Sequence, residues 1–171
     1  MKYHTILIDP PWNESGGGKI KRGADRHYSL MKTPEIIALC QDVLKDKTDD
    51  NCHCYLWVTN NFLPDGLEVI NALGFNYKTC ITWNKDRFGL GQYYRGITEH
   101  CLFSIKGNLP YKVLDGKRQQ GITGFYECKR EHSRKPEAMY SMIEKVSYPP
   151  RLELFARYHR HGWDVWGNVL N

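Results

Sequence analysis

Four residues near the start of the chain, Asp9, Pro10, Pro11 and Trp12 in the stretch LIDPPW, put a carboxylate, a stiff backbone and an indole side by side. The run from Tyr3 to Ile8, broken by His4, is largely apolar, which reads as a buried strand that the prolines end. Asp9 therefore lies at a strand's carboxyl end. Proline confines the residue before it to extended conformations, so Pro10 fixes Asp9 and Pro11 fixes Pro10. The turn then offers the Asp9 carboxylate and the Pro10 carbonyl as neighbouring acceptors, and neither proline has an N–H to donate. An aromatic amine suits such a surface. Its lone pair is delocalised into the ring, and two acceptors on its two N–H groups pyramidalise the nitrogen and aim that lone pair at an electrophile. Trp12 would stack on the ring, an interaction worth about 1–3 kcal/mol per base. The competing reading is a plain strand-to-loop turn with a solvated aspartate.

Other elements must hold this turn in place. A length of 171 residues with 41% hydrophobic content suffices for one core, so a single domain over residues 1–171 is expected. The stretch NESGGGKIKRGADRHY is too polar and glycine-rich to pack and reads as a mobile loop. TPEIIALCQDVLKD predicts a helix from Pro34 with Thr33 as its N-cap, and Leu63 to Leu73 predicts a second helix that ends at Gly74. CHCYLWVT, YKTCITWNK and EHCLFSIKG read as strands. In the tail, KPEAMYSMIEKV is helical, RLELFAR is a strand, and GWDVWGN is a last short strand and turn. Strands alternating with helices make an α/β sheet, in which ligands gather at the carboxyl ends of strands.

Several alternatives fall away. GGGKI looks like a phosphate-binding loop, but Asn13 stands at its first glycine and Ile20 at the hydroxyl residue that would hold magnesium. GLGQYY begins like a dinucleotide fingerprint but places Tyr94 at its last glycine. The six cysteines are scattered through apolar runs without a CxxC pair, which predicts free buried thiols. With no long apolar segment and no basic-then-apolar leader, a soluble, intracellular chain without a membrane partner is expected. The net charge of +5 is concentrated: residues 110–135 carry seven cations against three acids, a net of +4.

DPPW after an apolar strand resembles the catalytic motif of the adenine-N(6) methyltransferases. The likeness is to the family that holds the catalytic subunit of the eukaryotic mRNA adenosine methyltransferase together with bacterial and phage DNA members. It continues through YLWVTN, TWNK, EHCLFSIKGN, RKPEAMYSMIEKVS, LELFAR and WGN, in the family's order and over nearly the whole chain. The resemblance implies a Rossmann-like class I methyltransferase fold: an α/β, mainly parallel sheet with helices on both faces. It also implies a permuted motif order, in which the catalytic motif precedes the cofactor elements. The implied cofactor is S-adenosyl-L-methionine, with no metal, because the sulfonium is already a strong electrophile and the protein need only position the partners.

The resemblance assigns roles residue by residue. Asp9 and the Pro10 carbonyl, stiffened by Pro11 and flanked by Trp12, hold the target amine, and Asp9 also lies near the amino-acid end of the cofactor. Lys135 meets the cofactor carboxylate, Glu153 the ribose, Arg157 and His159 are its polar neighbours, and Asn168 contacts the cofactor's adenine. Lys135 would otherwise be a basic residue at a helix start, an unfavourable place for it. Two positions depart from the eukaryotic pattern, Val169 in place of a glutamine and Arg160 in place of an asparagine.

Substrate handling is expected from Lys19, Lys21 and Arg22 in the glycine-rich loop and from Lys85, Arg87, Tyr93, Tyr94 and Arg95, which interleave cations with aromatic rings. Glu99 and His100, at the start of EHCLFSIKGN, complete the set, and the basic 110–135 region would line the same cleft. The implied partner is nucleic acid, DNA ahead of RNA, in the cytoplasm of a bacterium or phage-infected host, with the base flipped out of any duplex. Assembly as a homodimer or heterodimer is left open. A rival of another class is a non-catalytic nucleic-acid-binding partner of such an enzyme, against which the intact DPPW, Lys135, Glu153 and Asn168 argue.

Overall fold

The computed structural model describes residues 1–14, 29–131 and 134–169. Its elements in chain order are β1 (Tyr3–Ile8), α1 (Thr33–Leu44), β2 (Thr48–Val58), a short 3-10 turn (Asn60–Phe62), α2 (Leu63–Ala72), β3 (Asn76–Asn84) and β4 (Thr98–Lys106). There follow β5 (Val113–Leu114), β6 (Lys117–Arg118), β7 (Gly124–Tyr126), α3 (Glu137–Val146), β8 (Arg151–Leu154) and β9 (Asp164–Trp166). The sheet order is β7-β3-β4-β2-β1-β8-β9, with β5 and β6 as a separate hairpin. β1 runs parallel to both β2 and β8, β8 to β9 and β3 to β7, while β4 runs against β2 and β3. This is the expected mainly parallel, Rossmann-like sheet with one reversed strand.

The period of two along each strand sorts side chains into two layers. Ile6 and Ile8 join the core packed by α1 and α2, with Leu56, Val58, Val69, Leu152 and Leu154. Leu7 points the other way, with Tyr55, Trp57, Met139 and Ile143 under α3. Helices therefore cover both faces, and the strands read as near-continuous apolar runs because both of their faces are buried.

Two consequences position a site. The chain leaves β1 toward β2 on one side and returns at β8 on the other, so the carboxyl ends of β1 and β8 form a topological switch point, where open α/β sheets bind ligands. Since β4 alone runs backwards, its first residues, not its last, reach the same edge: His100 pairs with Val58 and Glu99 with Trp83.

Some expectations are corrected. Thr33 is the first helical residue, not the N-cap; its hydroxyl donates to Asp65 Oδ1 at 2.8 Å, tying α1 to α2, while the Glu35 carboxylate accepts the Lys32 N–H at 3.1 Å. RLELFAR is a strand only to Leu154, because Phe155 adopts φ +62°, and its ring packs edge-on against Trp166. The β5–β6 hairpin was not expected; its strands are two exposed residues each, too short for alternation to register, around an Asp115-Gly116 turn with φ +51° and +74°. Gly74 ends α2 at φ +83°, as expected. All six cysteines are free, and Cys40, Cys52, Cys54 and Cys101 are buried. Among the described residues no helix is long and apolar enough to cross a membrane.

Gly66 lets α2 approach the sheet, since a Cβ there would lie 2.5 Å from Val58 Cγ1 and 3.0 Å from Leu102 Cδ1. Gly66→Ala gains helix propensity of about 1 kcal/mol but overpacks this contact by about 1–3 kcal/mol. A net loss of about 1 kcal/mol is expected in urea unfolding, and a variant more stable than the parent would show that Val58 and Leu102 repack freely.

Candidate active site

The strand that ends at Ile8 hands Asp9 to the switch point. The Asp9 N–H donates to Leu154 O at 3.3 Å, so this residue still belongs to the β1–β8 ladder although the prolines stop the strand. Alternation turns Asp9 toward the α3 layer, opposite Ile8. Pro10 and Pro11 offer no N–H, but their carbonyls are used: Trp12 N–H donates to Pro10 O at 3.0 Å and Met31 N–H to Pro11 O at 2.9 Å. The Pro10 oxygen keeps its second lone pair for a ligand.

Asp9 ends a chain of alternating charges. Lys85 Nζ lies 3.4 Å from Glu99, Lys135 Nζ lies 3.3 Å from Glu99 and 3.5 Å from Asp9. Lys135 also sits 5.4 Å from the centre of the Trp57 ring. Its ammonium stands between two carboxylates in a site withdrawn from water. Burial pushes the Asp9 carboxyl above the ordinary aspartate value, Lys135 opposes this only in part, and Glu99 adds to it. Glu99 goes the other way: burial would raise it, but Lys135 and Lys85 together hold it below the ordinary glutamate value. Lys135, which burial would lower, is held above its ordinary value by Asp9 and Glu99.

Beside this chain opens a cavity of about 540 Å³. Asp9 and Lys135 line it together with Tyr140 from α3, Glu153 from β8, and Arg157, His159 and Arg160 from the segment after β8. Leu152 and Leu154 face α1 and α2, so Glu153 between them must face α3, where Tyr140 Oη donates to Glu153 Oε1 at 2.7 Å. Glu153 is 6% exposed. Burial pushes its carboxyl up to about 7, against the Tyr140 hydrogen bond that favours the ionised form. A cavity of this size, lined by both cations and acids, is in the range of small-molecule and cofactor sites.

The chain matches the MT-A70 family over residues 3–169. It belongs to that family. It is 30% identical to the type II methyltransferase M.MunI of Mycoplasma sp, over 97% of this chain and 77% of that protein. It is 34% identical to a probable N(6)-adenosine-methyltransferase MT-A70-like protein of Oryza sativa subsp. japonica, over 99% of this chain and 23% of that one. To the human N(6)-adenosine-methyltransferase catalytic subunit METTL3 the identity is 29%, over 99% of this chain and 28% of that subunit. The chain thus spans about a quarter of the length of these plant and animal relatives, but most of M.MunI.

For this MT-A70 chain, Asp9, Lys135, Glu153, Arg157 and His159 meet in one cavity, as expected of a single site. Asn168 is not among the residues that line it; it lies exposed beyond β9. Trp12 is not an open stacking plate. It is 6% exposed, lies against Phe62 at 5.4 Å between ring centres, and donates its indole N–H to Trp57 O at 2.9 Å. The chain after the two prolines folds back into the α1–α2 core and carries the indole with it. Lys85 is no free phosphate contact, because Glu99 claims it, and Arg87 is paired with Asp86 at 3.4 Å.

Tyr93 and Tyr94 are each 92% exposed on the segment between β3 and β4. Arg95 is folded back over the Phe88 ring at 5.4 Å. His100 is held on both ring nitrogens, Nδ1 by Thr82 at 2.9 Å and Nε2 by Asn60 at 2.7 Å, which makes it a brace of the strand ends. The basic 110–135 region divides. Arg134 and Lys135 line the cavity, whereas Tyr111 and Gln119 line a second, mostly apolar cavity of about 360 Å³ between α3 and the sheet. Lys19, Lys21 and Arg22 lie outside the described residues. Sequence reasoning missed Tyr140, Glu137 and Glu144; the i, i+3, i+7 spacing on α3 that puts all three on one face was legible, but not what that face met.

Glu153 is a buried acid whose pKa in the fold lies above its ordinary 4.5, at about 7. Its ionised form is disfavoured by folding, so stability is lost as pH rises between those values. Replacing it by glutamine should stabilise the protein above pH 7 by up to about 3 kcal/mol, with the gain shrinking toward pH 5. Thermal or urea unfolding against pH tests this, and an advantage that grows toward acid would reverse the assignment.

Proposed function

We propose that this chain, as one domain over residues 1–171, transfers a methyl group from S-adenosylmethionine to the exocyclic amine of adenine in nucleic acid, with DNA as the substrate in a bacterial or phage-infected cell. The observation that carries this reading is Asp9, fixed by two prolines at the switch point, with its carboxylate beside both Lys135 and the cavity. The M.MunI likeness over most of that protein's length favours DNA, and the likeness to adenosine methyltransferases keeps RNA as the second reading.

The cavity's donors fit the cofactor. Lys135 would meet its carboxylate, Glu153 a ribose hydroxyl, and Arg157 and His159 its polar rim. When bound, S-adenosylmethionine supplies an electrophilic methyl group at its sulfonium. The protein's own contribution is at the amine: Asp9 accepts one N–H, Pro10 O accepts the other, and the nitrogen lone pair is turned out of the ring's π-system. The raised pKa of Asp9 also suits it to receive the proton that the amine sheds. Lys135 keeps that carboxylate ionised enough to act, and Glu99, with Lys85 behind it, holds Lys135 in place. Tyr93 and Tyr94 are left to stack on exposed bases.

Asp9→Ala should abolish methyl transfer to single-stranded DNA, duplex DNA and RNA alike while the protein stays folded; a folded variant with near-normal turnover would sink the assignment. Comparing the three substrates with labelled cofactor and identifying the modified base separates DNA from RNA. Because Asp9 acts ionised and burial raises its pKa, turnover should fall on the acid side at a pH above the ordinary aspartate value of about 3.9. Lys135→Met removes the cation that favours ionisation, so this limb should move to higher pH.

Tyr93→Ala and Tyr94→Ala should each weaken polynucleotide binding by about 1–3 kcal/mol without changing its salt dependence, since stacking releases no counterion. Unchanged affinity in both would place the polynucleotide path elsewhere.

A further inference from the structure

Arg160 stands where the related eukaryotic pattern has an asparagine, and the structure gives it a definite place. Its guanidinium lies 4.5 Å from the centre of the Tyr140 ring. Two carboxylates on α3 hold it there, Glu137 through NH1 at 2.7 Å and Glu144 through Nε at 2.9 Å. Trp163 also packs against the ring, edge-on to Tyr140 at 5.7 Å and 84°, its own N–H donating to Glu144 at 2.9 Å. The Tyr140 ring is thus held by a cation and an indole, and its hydroxyl reaches Glu153 Oε1 at 2.7 Å.

We propose that Tyr140, clamped by Arg160 and Trp163, is a positioning residue for Glu153: by donating to Oε1 it fixes the carboxylate's rotamer and leaves Oε2 to accept a ligand hydroxyl. The inference rests on the reading that Glu153 meets the cofactor ribose. A glutamate side chain has three rotatable bonds, and an acid at a cavity wall would otherwise spread its acceptor over several directions. A charge-assisted hydrogen bond from a ring that cannot move removes that spread.

The same bond sets when the carboxylate is charged. The groups that face Glu153 are Tyr140 from α3, Asp9 from the end of β1, Lys135 from the segment before α3 and Arg160 from the turn after β8. Burial and Asp9 favour the neutral acid, while Tyr140, Arg160 and Lys135 favour the carboxylate. Removing the Tyr140 hydroxyl takes away one support of the ionised form, so the Glu153 pKa must rise. A ligand that needs the carboxylate as acceptor then binds more weakly around neutrality and recovers at alkaline pH. Phenylalanine keeps the ring against Arg160 and Trp163, so packing is retained.

The test uses Tyr140→Phe and calorimetric binding of S-adenosylhomocysteine from pH 6 to pH 9. At pH 7 the affinity should fall about tenfold, the range of a hydrogen bond to a charged group, and the pH midpoint of binding should move up, narrowing the gap at pH 9. Unchanged affinity would mean that Tyr140 only packs, and a uniform loss at every pH would mean that its hydroxyl does not act through the charge of Glu153; either would overturn the proposal. His159 and His161 line the same cavity. Glu153→Gln keeps both histidines and removes the carboxyl; in that background Tyr140→Phe should have no further effect on the pH dependence, and a full-sized shift there would also overturn it. A carboxyl-carbon NMR titration of Glu153 reads the same shift without any ligand, upward in Tyr140→Phe. If the parent protein binds no S-adenosylhomocysteine but the titration shows the shift, the cofactor reading fails and the positioning of Glu153 stands.

Discussion

Buried charge is the constraint around which this protein is arranged. Asp9, Glu99 and Glu153 sit at one edge of the sheet with little water, and an unpaired carboxylate in such a place would cost several kcal/mol. Each is answered in its own way. Glu99 receives two ammonium groups and stays ionised; Asp9 shares one of them and is left with a raised pKa; Glu153 receives a phenol and is raised to about 7. The gradient follows from how closely cations approach each acid: Lys85 and Lys135 both contact Glu99, Lys135 contacts Asp9, and Arg160 and Lys135 act on Glu153 without an ion-pair contact among the described residues. It leaves an acceptor that can take a proton next to a cavity whose second acid is poised near neutrality, a common arrangement at functional sites.

α3 ties these responses together. One of its faces carries Met139 and Ile143 into the core beneath Leu7, Tyr55 and Trp57. Another carries Glu137, Tyr140 and Glu144 to the cavity. Its N-terminus is held from outside: the Glu127 carboxylate accepts the N–H groups of Glu137 at 2.9 Å and Ala138 at 3.1 Å, which satisfies two otherwise orphaned donors and opposes a negative charge to the positive end of the dipole. Lys135, two residues upstream, would sit badly there by dipole alone. Asp9 and Glu99 compensate for that position, so the lysine is held by tertiary charge and not by its helix.

The reversed strand has a similar role. Were β4 parallel to its neighbours, Glu99 and His100 would lie at the far edge, and Lys135 would face Asp9 without a second acid. Running backwards, β4 delivers both at its start. The loop that reverses direction carries Tyr93 and Tyr94 out into solvent above the same edge, so one topological choice supplies both the charge partner and the exposed rings.

Much of this was legible in the sequence. The strand that leads into Asp9, the prolines that stiffen the turn, the helix starting at Thr33-Pro34, the second helix ending before Gly74, and the α/β order all follow from local rules, because a period of two or 3.6 and the φ of proline and glycine act over a few residues. The joint presence of Asp9, Lys135, Glu153, Arg157 and His159 in one cavity was expected from the resemblance alone. What only the tertiary structure decided is which side chains are spoken for. Trp12 is drawn into the core, Lys85 is bound to Glu99, His100 braces strand ends, Asn168 stays outside the cavity wall, and Tyr140 reaches Glu153 across 13 residues of chain. Composition and spacing report the type of a side chain, whereas its partner is set by sheet order and strand direction, which arise from contacts between segments far apart in the chain.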